Sequence, residues 1–347
     1  MSYLNIPTQN ILFGELINYL DIFTEYHKRN PEAKNLLTDY FKQGNIYLGF
    51  TDYLDDLGAN DEHSYLVNSS TGKSKITDSE YLKYLVMLNP KYAVIPFEYV
   101  PPAGGKKKTL RCYKKMKTFF KLINDKSELY KEQNFIIPFY TKQYEFIPKE
   151  DLKECLVRSK GMLVITENPE EINYAKLKKY KSILDTYTCD MKIKASTNSP
   201  LDILFGIDIG CSHIEINFPF YYSEKGLVTF IDFSAYDKAK SYGKIEEVDK
   251  FNVEVCLLNM NSQSYEKDMD IIQKNCECFV CKTGYKKSYI HHLFKCKELN
   301  GNILLSIHNC YQARKLYDCY KAMNEEERKN FLMWFITANC CTIKKED

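Results

Sequence analysis

The sequence has almost no net charge and no long hydrophobic run. Its 347 residues include 48 lysines and arginines against 46 aspartates and glutamates, which gives a formal net charge of +2. A global electrostatic attraction to a polyanion is therefore excluded, and any nucleic-acid contact must come from a local patch. No window approaches the roughly 18 apolar residues needed to span a bilayer, so we expect no integral membrane segment.

A secretory signal is also missing, because the first residues include no basic start followed by an apolar run. The chain nevertheless has 13 cysteines. This odd number, scattered over a long chain, does not fit the disulfide framework of a small secreted domain. We therefore expect a reduced, cytoplasmic protein whose clustered cysteines bind metal. Hydrophobic residues make up 44% of the sequence, as in a globular core.

Short apolar runs alternate with helical patterns along most of the chain. The predicted strands are 92–97, 135–140, 162–166, 191–195, 213–218, 227–233 and 252–258. The predicted helices are 11–26, 35–41, 111–123, 149–158, 168–184, 200–209, 288–299, 302–321 and 324–337, and 58–79 is predicted to be a polar loop. This alternation predicts parallel βαβ units in either a doubly wound sheet or a (β/α)8 barrel. Periodicity alone does not choose between them.

Two surface features have alternative interpretations. The densest basic run, 104–117, could contact phosphate, but a solvated loop and helix face is the favoured interpretation. Trp334 lies on an apolar face of the last predicted helix, for which core packing is the default and a subunit interface the alternative.

A cysteine cluster lies near the C-terminal end of the sequence. Cys276, Cys278 and Cys281 fall within six residues. Such a cluster is typical of a structural zinc site, which binds the metal through four sulfur or nitrogen ligands. The fourth ligand could come from any of three histidines in the predicted helices that follow, namely His308, His291 and His292. The alternative is a group of buried free cysteines.

The same region resembles the zinc-binding region of the tRNA-guanine transglycosylase (queuine tRNA-ribosyltransferase) family. The resemblance lies in the C-x-C-x-x-C cluster, in Tyr-Ile-His-His-Leu at 289–293 and in Leu-Leu-x-Ile-His-Asn at 304–309. It implies one structural zinc ion per chain, with the four ligands Cys276, Cys278, Cys281 and His308. Cys281 and His308 are 27 positions apart, one more than the usual family spacing. We place the extra residue near Gly284, in the turn after the third cysteine, where insertion is tolerated.

A second stretch carries the same resemblance. Residues 208–219 are similar to the family segment Gly-x-Asp-x-Phe-Asp-x-x-Phe-Pro. In catalytic members the second aspartate attacks ribose C1′, so that guanine leaves and a covalent RNA–enzyme intermediate forms, as in retaining glycosidases. Here Glu215 stands at that position and Ser212 at the first aspartate. The longer side chain moves the carboxylate by about one C–C bond, and a misplacement of about 1 Å can cost on the order of a hundredfold in rate.

Other motifs of catalytic members are missing. After the Phe-Pro they have Thr-Arg-x-x-Arg-x-Gly, whereas 220–226 reads Phe-Tyr-Tyr-Ser-Glu-Lys-Gly. No general-base motif of the type Asp-Ser/Gly-Gly-Gly-Phe-Gln occurs early in the chain. The strand ends that carry purine-binding glycines in those members read Tyr-Thr-Lys-Gln at 140–143 and Glu-Asn-Pro-Glu at 167–170. These departures resemble the family's eukaryotic accessory subunit 2, which is not catalytic, so no residue of this chain is assigned a catalytic role.

The resemblance implies an α/β fold, a (β/α)8 TIM-type barrel with a zinc-binding lobe inserted near the C-terminus. We expect the barrel body at 1–260, the zinc-binding lobe with its closing helices at 261–323, and a C-terminal helix and tail at 324–347. In such barrels catalytic residues lie at the carboxyl ends of strands, and Glu215 is near the end of a predicted strand.

Three functional hypotheses remain. In the leading one the chain is a non-catalytic subunit that pairs with a catalytic queuine tRNA-ribosyltransferase subunit, as a heterodimer, with a homodimer as the alternative. It would help to hold tRNA while the partner exchanges guanine for queuine at the anticodon wobble position. In the second, the chain is a divergent catalytic transglycosylase with Glu215 as nucleophile. In the third, it is a zinc-stabilised barrel without a tRNA role. We expect a cytoplasmic location. Accessory subunits of this family can associate with the mitochondrial outer membrane, and the sequence does not decide whether this chain does so.

Overall fold

The predicted alternation of strands and helices is present in the structure, a computed structural model. It describes residues 9–12, 16, 19–30, 46–50, 64–69, 71–98, 100, 104–125, 130, 133–166, 174–236, 253–255 and 257–342. These residues fall into two compact units. The sheet unit comprises the described residues from 9 to 166 and from 187 to 196, and the C-terminal unit those from 174 to 186 and from 197 to 342.

Parallel strands form the sheet unit. In chain order the strands are β1 (Gln9–Leu12), β2 (Ile46–Gly49), β3 (Ser64–Ser69), β4 (Gly72–Thr77), β5 (Tyr92–Val94), β6 (Asn134–Tyr140), β7 (Gly161–Ile165) and β8 (Met191–Thr197). Strands β3 and β4 pair with each other as an antiparallel hairpin. The others lie in the order β1-β2-β5-β6-β7-β8, with every neighbouring pair parallel.

The order of these parallel strands decides between the two architectures that periodicity left open. A doubly wound sheet reverses its strand order at a switch point. Here, apart from the hairpin, the spatial order follows the chain order without reversal, and the sheet curls into a half-barrel of six strands among the residues that the structure describes. Strands β6 and β7 are buried along nearly their whole length, as strands covered on both faces are. The sheet unit is therefore a singly wound, barrel-like α/β fold.

Helices of the sheet unit follow the pattern of its sequence. They are α1 (Leu20–Arg29), α2 (Asp78–Leu88), α3 (Lys106–Asp125) and α4 (Lys149–Val157). Helix α2 begins with a capping box, in which the Thr77 hydroxyl accepts from the Glu80 N–H and the Glu80 carboxylate accepts from the Thr77 N–H at 2.8 Å. This reciprocal pair satisfies two backbone donors at the start of the helix.

Two local predictions in this unit were wrong. The stretch 58–79, predicted to be a polar loop, contains the β3–β4 hairpin, whose inward residues include Tyr65, Val67 and Ile76. A hairpin needs to bury only one face, so its composition stays polar overall. The predicted helix 11–26 begins too early, since β1 contains its first residues and α1 starts at Leu20. The helix predicted at 35–41 lies outside the described residues.

The predicted solvated face of the basic run was also partly wrong. Lys115 of α3 is buried, its Nζ donates to the Ser64 carbonyl at 3.1 Å, and it lies 4.2 Å from the ring centroid of Tyr65. Arg111 pairs with the buried Glu98 carboxylate through two nitrogens. These cations are engaged within the protein rather than presented to phosphate.

The C-terminal unit is mostly helical. Its elements in chain order are α5 (Tyr174–Asp185), α6 (Pro200–Asp208), β9 (His213–Ile216), α7 (Phe218–Glu224), β10 (Leu227–Thr229), α8 (Phe233–Tyr236), β11 (Val253–Val255), β12 (Leu257–Asn259), α9 (Phe279–Thr283), α10 (Lys287–Lys295), α11 (Leu299–Ala322), α12 (Glu325–Asn339) and β13 (Cys340–Thr342). Strands β10 and β12 pair antiparallel, as do β11 and β13. The long helix α11 packs against α6, α7, α9, α10 and β10. Within the described ranges, no helix combines the length and the apolar character needed to cross a membrane.

The apolar face around Trp334 belongs to the core of this unit. Every residue from 331 to 336 in α12 is buried, and Phe331 and Trp334 both contact the ring of Tyr236. Tyr320 of α11 packs on Phe331 as well. Core packing, the default prediction for this face, is confirmed.

Asp208 at the end of α6 links that helix to α11. Its Oδ2 accepts a hydrogen bond of 2.7 Å from the hydroxyl of Tyr320. Burial raises the pKa of Asp208 to about 6, although the hydrogen bond from Tyr320 and the positive charges of Arg328 and Lys181 act in the opposite direction. The ionised carboxylate is therefore less stable in the folded protein than in water.

Replacing Asp208 with Asn should remove a pH-dependent destabilisation. The folded-state pKa of about 6 lies above the unfolded value of about 3.9. Between these values the native state binds more protons, so the free energy of unfolding decreases as the pH rises, by up to about 3 kcal/mol in total. We expect Asp208→Asn to exceed the wild type in stability above about pH 6 and to converge with it below about pH 4.

Denaturant unfolding of the wild type and of Asp208→Asn across this pH range measures the difference in their free energies of unfolding. Other groups that titrate in acid are present in both proteins, so their contributions to this difference cancel. A difference that does not change with pH would contradict the prediction.

Candidate metal centre and the Glu215 strand

A tight turn brings the three clustered cysteines together. Cys278 is the N-cap of α9, and its Sγ accepts a hydrogen bond of 3.4 Å from the Cys281 N–H. The helix ends after little more than a turn at Gly284, whose φ of 85° is in the left-handed region that glycine adopts without strain. The chain therefore turns sharply after the third cysteine. This is the turn in which we placed the extra residue of the family comparison.

Helix α11 supplies the histidine that completes the group. His308 is fully buried, and its Nδ1 lies 3.7, 3.4 and 3.5 Å from the Sγ atoms of Cys276, Cys278 and Cys281. The four ligand atoms all lie within 4.8 Å of one another. A zinc tetrahedron with Zn–S of about 2.3 Å and Zn–N of about 2.0 Å has S···N edges of about 3.5 Å. The arrangement fits a tetrahedral metal ion.

Hydrogen bonds outside the group orient its members. The His308 Nε2–H donates to the Thr229 carbonyl at 3.0 Å, which leaves the Nδ1 lone pair facing the sulfurs. Metal-binding histidines commonly donate their other ring N–H in this way. Gln312 Nε2 donates to Cys276 Sγ at 3.4 Å and to Gln273 Oε1 at 2.6 Å. These contacts fix the ring and support negative charge on the cysteine sulfurs.

The crowded sulfurs perturb the titration of the group. Hydrogen bonds with Cys278 and Cys281 lower the pKa of Cys276 well below that of an ordinary thiol, whereas hydrogen bonds with Cys276 and Cys278 raise the pKa of Cys281. Burial lowers the pKa of His308, but the neighbouring cysteine sulfurs outweigh it and raise this pKa to about 9. The site thus favours thiolate charge balanced by a cation. A divalent metal supplies that charge and displaces the protons.

The structure distinguishes among the three candidate histidines. His291 is buried, but its Nδ1–H donates to the Met260 carbonyl at 2.7 Å. His292 is exposed and lies beside Cys296, with a closest ring-nitrogen distance of 3.6 Å to Sγ. In the part of the chain that the structure describes, His308 is the histidine that joins the three clustered cysteines.

Asn309, the residue after His308, ends the segment that carries the family resemblance, but the sequence gave it no role. It is fully buried, and its Oδ1 accepts from the Thr229 N–H at 2.8 Å. Its Nδ2 donates to the Leu227 carbonyl at 3.0 Å and to the Ser223 Oγ at 3.1 Å. His308 and Asn309 therefore bind both backbone groups of Thr229. Gln312 is four residues after His308, so both side chains lie on one face of the helix. This spacing was a signal in the sequence that Gln312 lies beside the cysteine group.

Glu215 lies in β9, the short strand before α7. It is half-buried, and the strand ends one residue later at Ile216. The following Asn217 donates its N–H to the Thr197 Oγ1 at 3.4 Å. Ser212 lies before the strand, where its Oγ is 3.0 Å from the Nδ1 of His213.

The turn after α7 depends on Gly226. Its φ is +70°, and a Cβ atom there would lie 2.5 Å from Asn261 Nδ2, which donates to the Lys225 carbonyl at 2.9 Å. The left-handed conformation favours glycine, and a larger residue would also have to displace the exposed Asn261 side chain. Gly226 also matches the glycine that ends the Thr-Arg-x-x-Arg-x-Gly pattern of catalytic members. The glycine of this turn is therefore kept, whereas the threonine and the two arginines of the pattern are replaced.

Comparisons with known proteins find similarity to queuine tRNA-ribosyltransferases and to proteins described as like them. A family model described as queuine tRNA-ribosyltransferase matches residues 20–338. A queuine tRNA-ribosyltransferase-like protein of Plasmodium falciparum (isolate 3D7) is 27% identical over 366 residues, covering 96% of this chain and 87% of the relative. One from Theileria parva is 25% identical over 359 residues, covering 96% and 84%. A queuine tRNA-ribosyltransferase of Chlamydia trachomatis serovar L2 is 39% identical over 59 residues, covering 17% of this chain and 16% of that protein.

His308→Ala should abolish metal binding by the cluster. The variant loses the nitrogen ligand and leaves three crowded sulfurs, so we expect a large loss of bound metal and a destabilisation of several kcal/mol. Metal content per chain after purification, and the absorption of the Co²⁺-substituted protein, measure this. His292→Ala and Cys296→Ser change an exposed histidine and an exposed cysteine and should keep the wild-type metal content. Full metal content in His308→Ala would contradict the assignment.

Proposed function

We propose a function on the premise that this chain belongs to the queuine tRNA-ribosyltransferase family. In this proposal the chain is a non-catalytic accessory subunit of a heterodimeric enzyme of that family. A catalytic partner exchanges guanine for queuine at the tRNA anticodon wobble position, and this chain helps to hold the tRNA. The observation that carries the proposal is Glu215, which stands where the family resemblance places the nucleophilic aspartate.

The surroundings of Glu215 support the absence of catalysis. A carboxylate nucleophile must meet ribose C1′ as oxocarbenium character develops. The added methylene of glutamate displaces the carboxylate by about one C–C bond, enough for a loss on the order of a hundredfold. The arginines of the following family pattern are replaced by Tyr221 and Glu224, both exposed.

The proposal includes a closed (β/α)8 barrel with an inserted zinc-binding lobe. The singly wound order of the strands of the sheet unit supports it, because a barrel requires neighbouring strands to follow one another in the chain. The proposed boundaries are 1–260 for the barrel body, 261–323 for the lobe, and 324–347 for the C-terminal helix and tail.

The metal is proposed to be one structural zinc ion per chain, held by Cys276, Cys278, Cys281 and His308. Three sulfurs and one imidazole nitrogen are the donor set that zinc prefers, and four protein ligands leave no open position for substrate. When bound, the ion supplies folding free energy to the lobe rather than chemistry.

The proposed heterodimer forms through the zinc-binding lobe, with a homodimer as the alternative. Exposed apolar side chains on that lobe support a partner there. Leu299 is 70% exposed and Ile303, one turn further along α11, is 46% exposed. Neighbouring apolar residues of this kind are typical of association surfaces. A cytoplasmic location remains a prediction, as does association with the mitochondrial outer membrane.

A guanine-exchange assay tests the proposal. The purified, zinc-loaded chain should not exchange labelled guanine into tRNA by itself, and adding the catalytic subunit should give exchange. Glu215→Gln removes the carboxylate charge with little change of shape, so the exchange rate of the complex should stay at the wild-type value.

The same assay distinguishes the rival functions. If Glu215 is a divergent nucleophile, the chain alone exchanges guanine, and a covalent RNA adduct can be trapped that is absent in Glu215→Gln. If the chain has no tRNA role, it fails to bind tRNA both alone and with the catalytic subunit. Either result would overturn the accessory role.

A further inference from the structure

An exposed serine lies beside three side chains that can bind an anion, just before the start of β9. Ser212 is in the bend between α6 and β9, and both it and the neighbouring His213 are exposed. The Ser212 Oγ lies 3.0 Å from the His213 Nδ1. Tyr317 of α11 donates its hydroxyl to the Ser212 carbonyl at 3.4 Å, and the Nζ of Lys321 donates to the same hydroxyl at 2.6 Å. The Tyr317 hydroxyl therefore links an ammonium group to the backbone of Ser212.

The charges around this serine favour an anionic group on it. Lys321 is exposed, and its charge acts on His213, whose pKa is lowered chiefly by burial and further by Lys321. The two basic side chains are thus close enough to interact. Asp318 of α11 is paired with Arg314 at 2.6 Å, so its charge is balanced. An anion at Ser212 would be attracted to Lys321 and would favour the protonated form of His213.

A covalently attached anion suits this cluster better than a free ion. Lys321 and His213 are exposed to water, where each ion pair contributes little, and a free ion also loses translational freedom on binding. A phosphoryl group on the Ser212 Oγ is already held in place, so a few charge-assisted contacts are enough to order it. The family resemblance places an aspartate at this position, which indicates that a negative charge can be accommodated there.

We propose that Ser212 is a phosphorylation site whose phosphoryl group binds Lys321 and His213. The phosphoryl donor is ATP and the catalyst is a protein kinase. The Ser212 Oγ attacks the γ-phosphorus of ATP, an O–P bond forms, the bond to the β,γ-bridging oxygen breaks and ADP leaves. The serine proton passes to the catalytic carboxylate of the kinase. The product carries a charge of about −1.5 to −2 at neutral pH and joins the bend before β9 to α11. This inference goes beyond the proposed function and does not depend on it.

A second tyrosine–lysine pair in the same unit provides a matched control. Tyr221 and Lys225 have the same spacing as Tyr317 and Lys321, and the distance from Nζ to the ring centroid is 4.0 Å in the first pair and 5.0 Å in the second. Tyr221 lies in α7 and Lys225 just after it, beyond the other end of β9. Lys225→Ala therefore removes a similar lysine without changing the cluster at Ser212.

Titration of the phosphoserine by ³¹P NMR tests the contact directly. Phosphoserine is installed at position 212 of the full-length, zinc-loaded chain by amber-codon suppression. Because Lys321 favours the dianion, the second pKa of the phosphoserine should fall from about 6 to about 5.5. Lys321→Ala should return this pKa to about 6, whereas Lys225→Ala should leave it at about 5.5. A pKa of about 6 with Lys321 present would overturn the proposed contact.

Mass spectrometry of the chain isolated from its native cells tests whether the site is used. We expect a phosphopeptide that contains Ser212 and is lost in Ser212→Ala. Complete coverage of this peptide in its unphosphorylated form alone, across growth conditions, would overturn the proposal.

Inorganic phosphate distinguishes a modified serine from a site for a free anion. Its addition to the unmodified chain should leave the ring resonances of His213 unchanged at concentrations on the order of 1 mM, because the exposed contacts are weak. Saturation below that concentration would assign the cluster to free phosphate and overturn the modification. Metal content and thermal unfolding of each variant confirm that the chain is folded.

Discussion

The C-terminal unit depends on the contact between two consecutive residues of α11 and the backbone of Thr229. His308 binds the Thr229 carbonyl and Asn309 binds its N–H. The first contact selects the ring nitrogen of His308 that faces the cysteines, and the second fixes the helix against β10. Through these two residues α11 contacts the cysteine turn, β10 and α7. Removing either hydrogen bond would leave a buried polar group without a partner.

The division of roles within the chain follows from the chemistry of its sites. A tetrahedral site with four protein ligands offers no position for substrate, so a metal ion held by the cysteine group would support folding rather than reaction. Chemistry in this family requires a carboxylate of defined length on a strand end. Here Glu215 is one methylene longer, and the two arginines of the following family pattern are replaced by Tyr221 and Glu224.

Features confined to a few residues could be predicted from the sequence, and features that depend on distant contacts could not. Three cysteines within six residues share one turn, so their convergence is visible locally. The spacing left three histidines open, and only the family resemblance selected His308. The structure adds the physical reason, because the distant Thr229 carbonyl orients the His308 ring. The hairpin at 64–77 was missed because its single buried face leaves a polar composition. Lys115 looked solvated because the Ser64 carbonyl and Tyr65 ring that bury it lie about fifty positions earlier.

The continuity of α11 has a consequence for the evolution of the chain. This helix of 24 residues, about 36 Å long, holds His308 in its middle and Tyr320 near its end, where Tyr320 reaches Asp208. One inserted residue between them would rotate one anchor by about 100° relative to the other, so the helical spacing cannot change by a single residue. A turn capped by glycine absorbs an insertion without this rotation. The spacing between His308 and Tyr320 is therefore expected to stay constant, whereas a turn such as the one at Gly284 can vary in length.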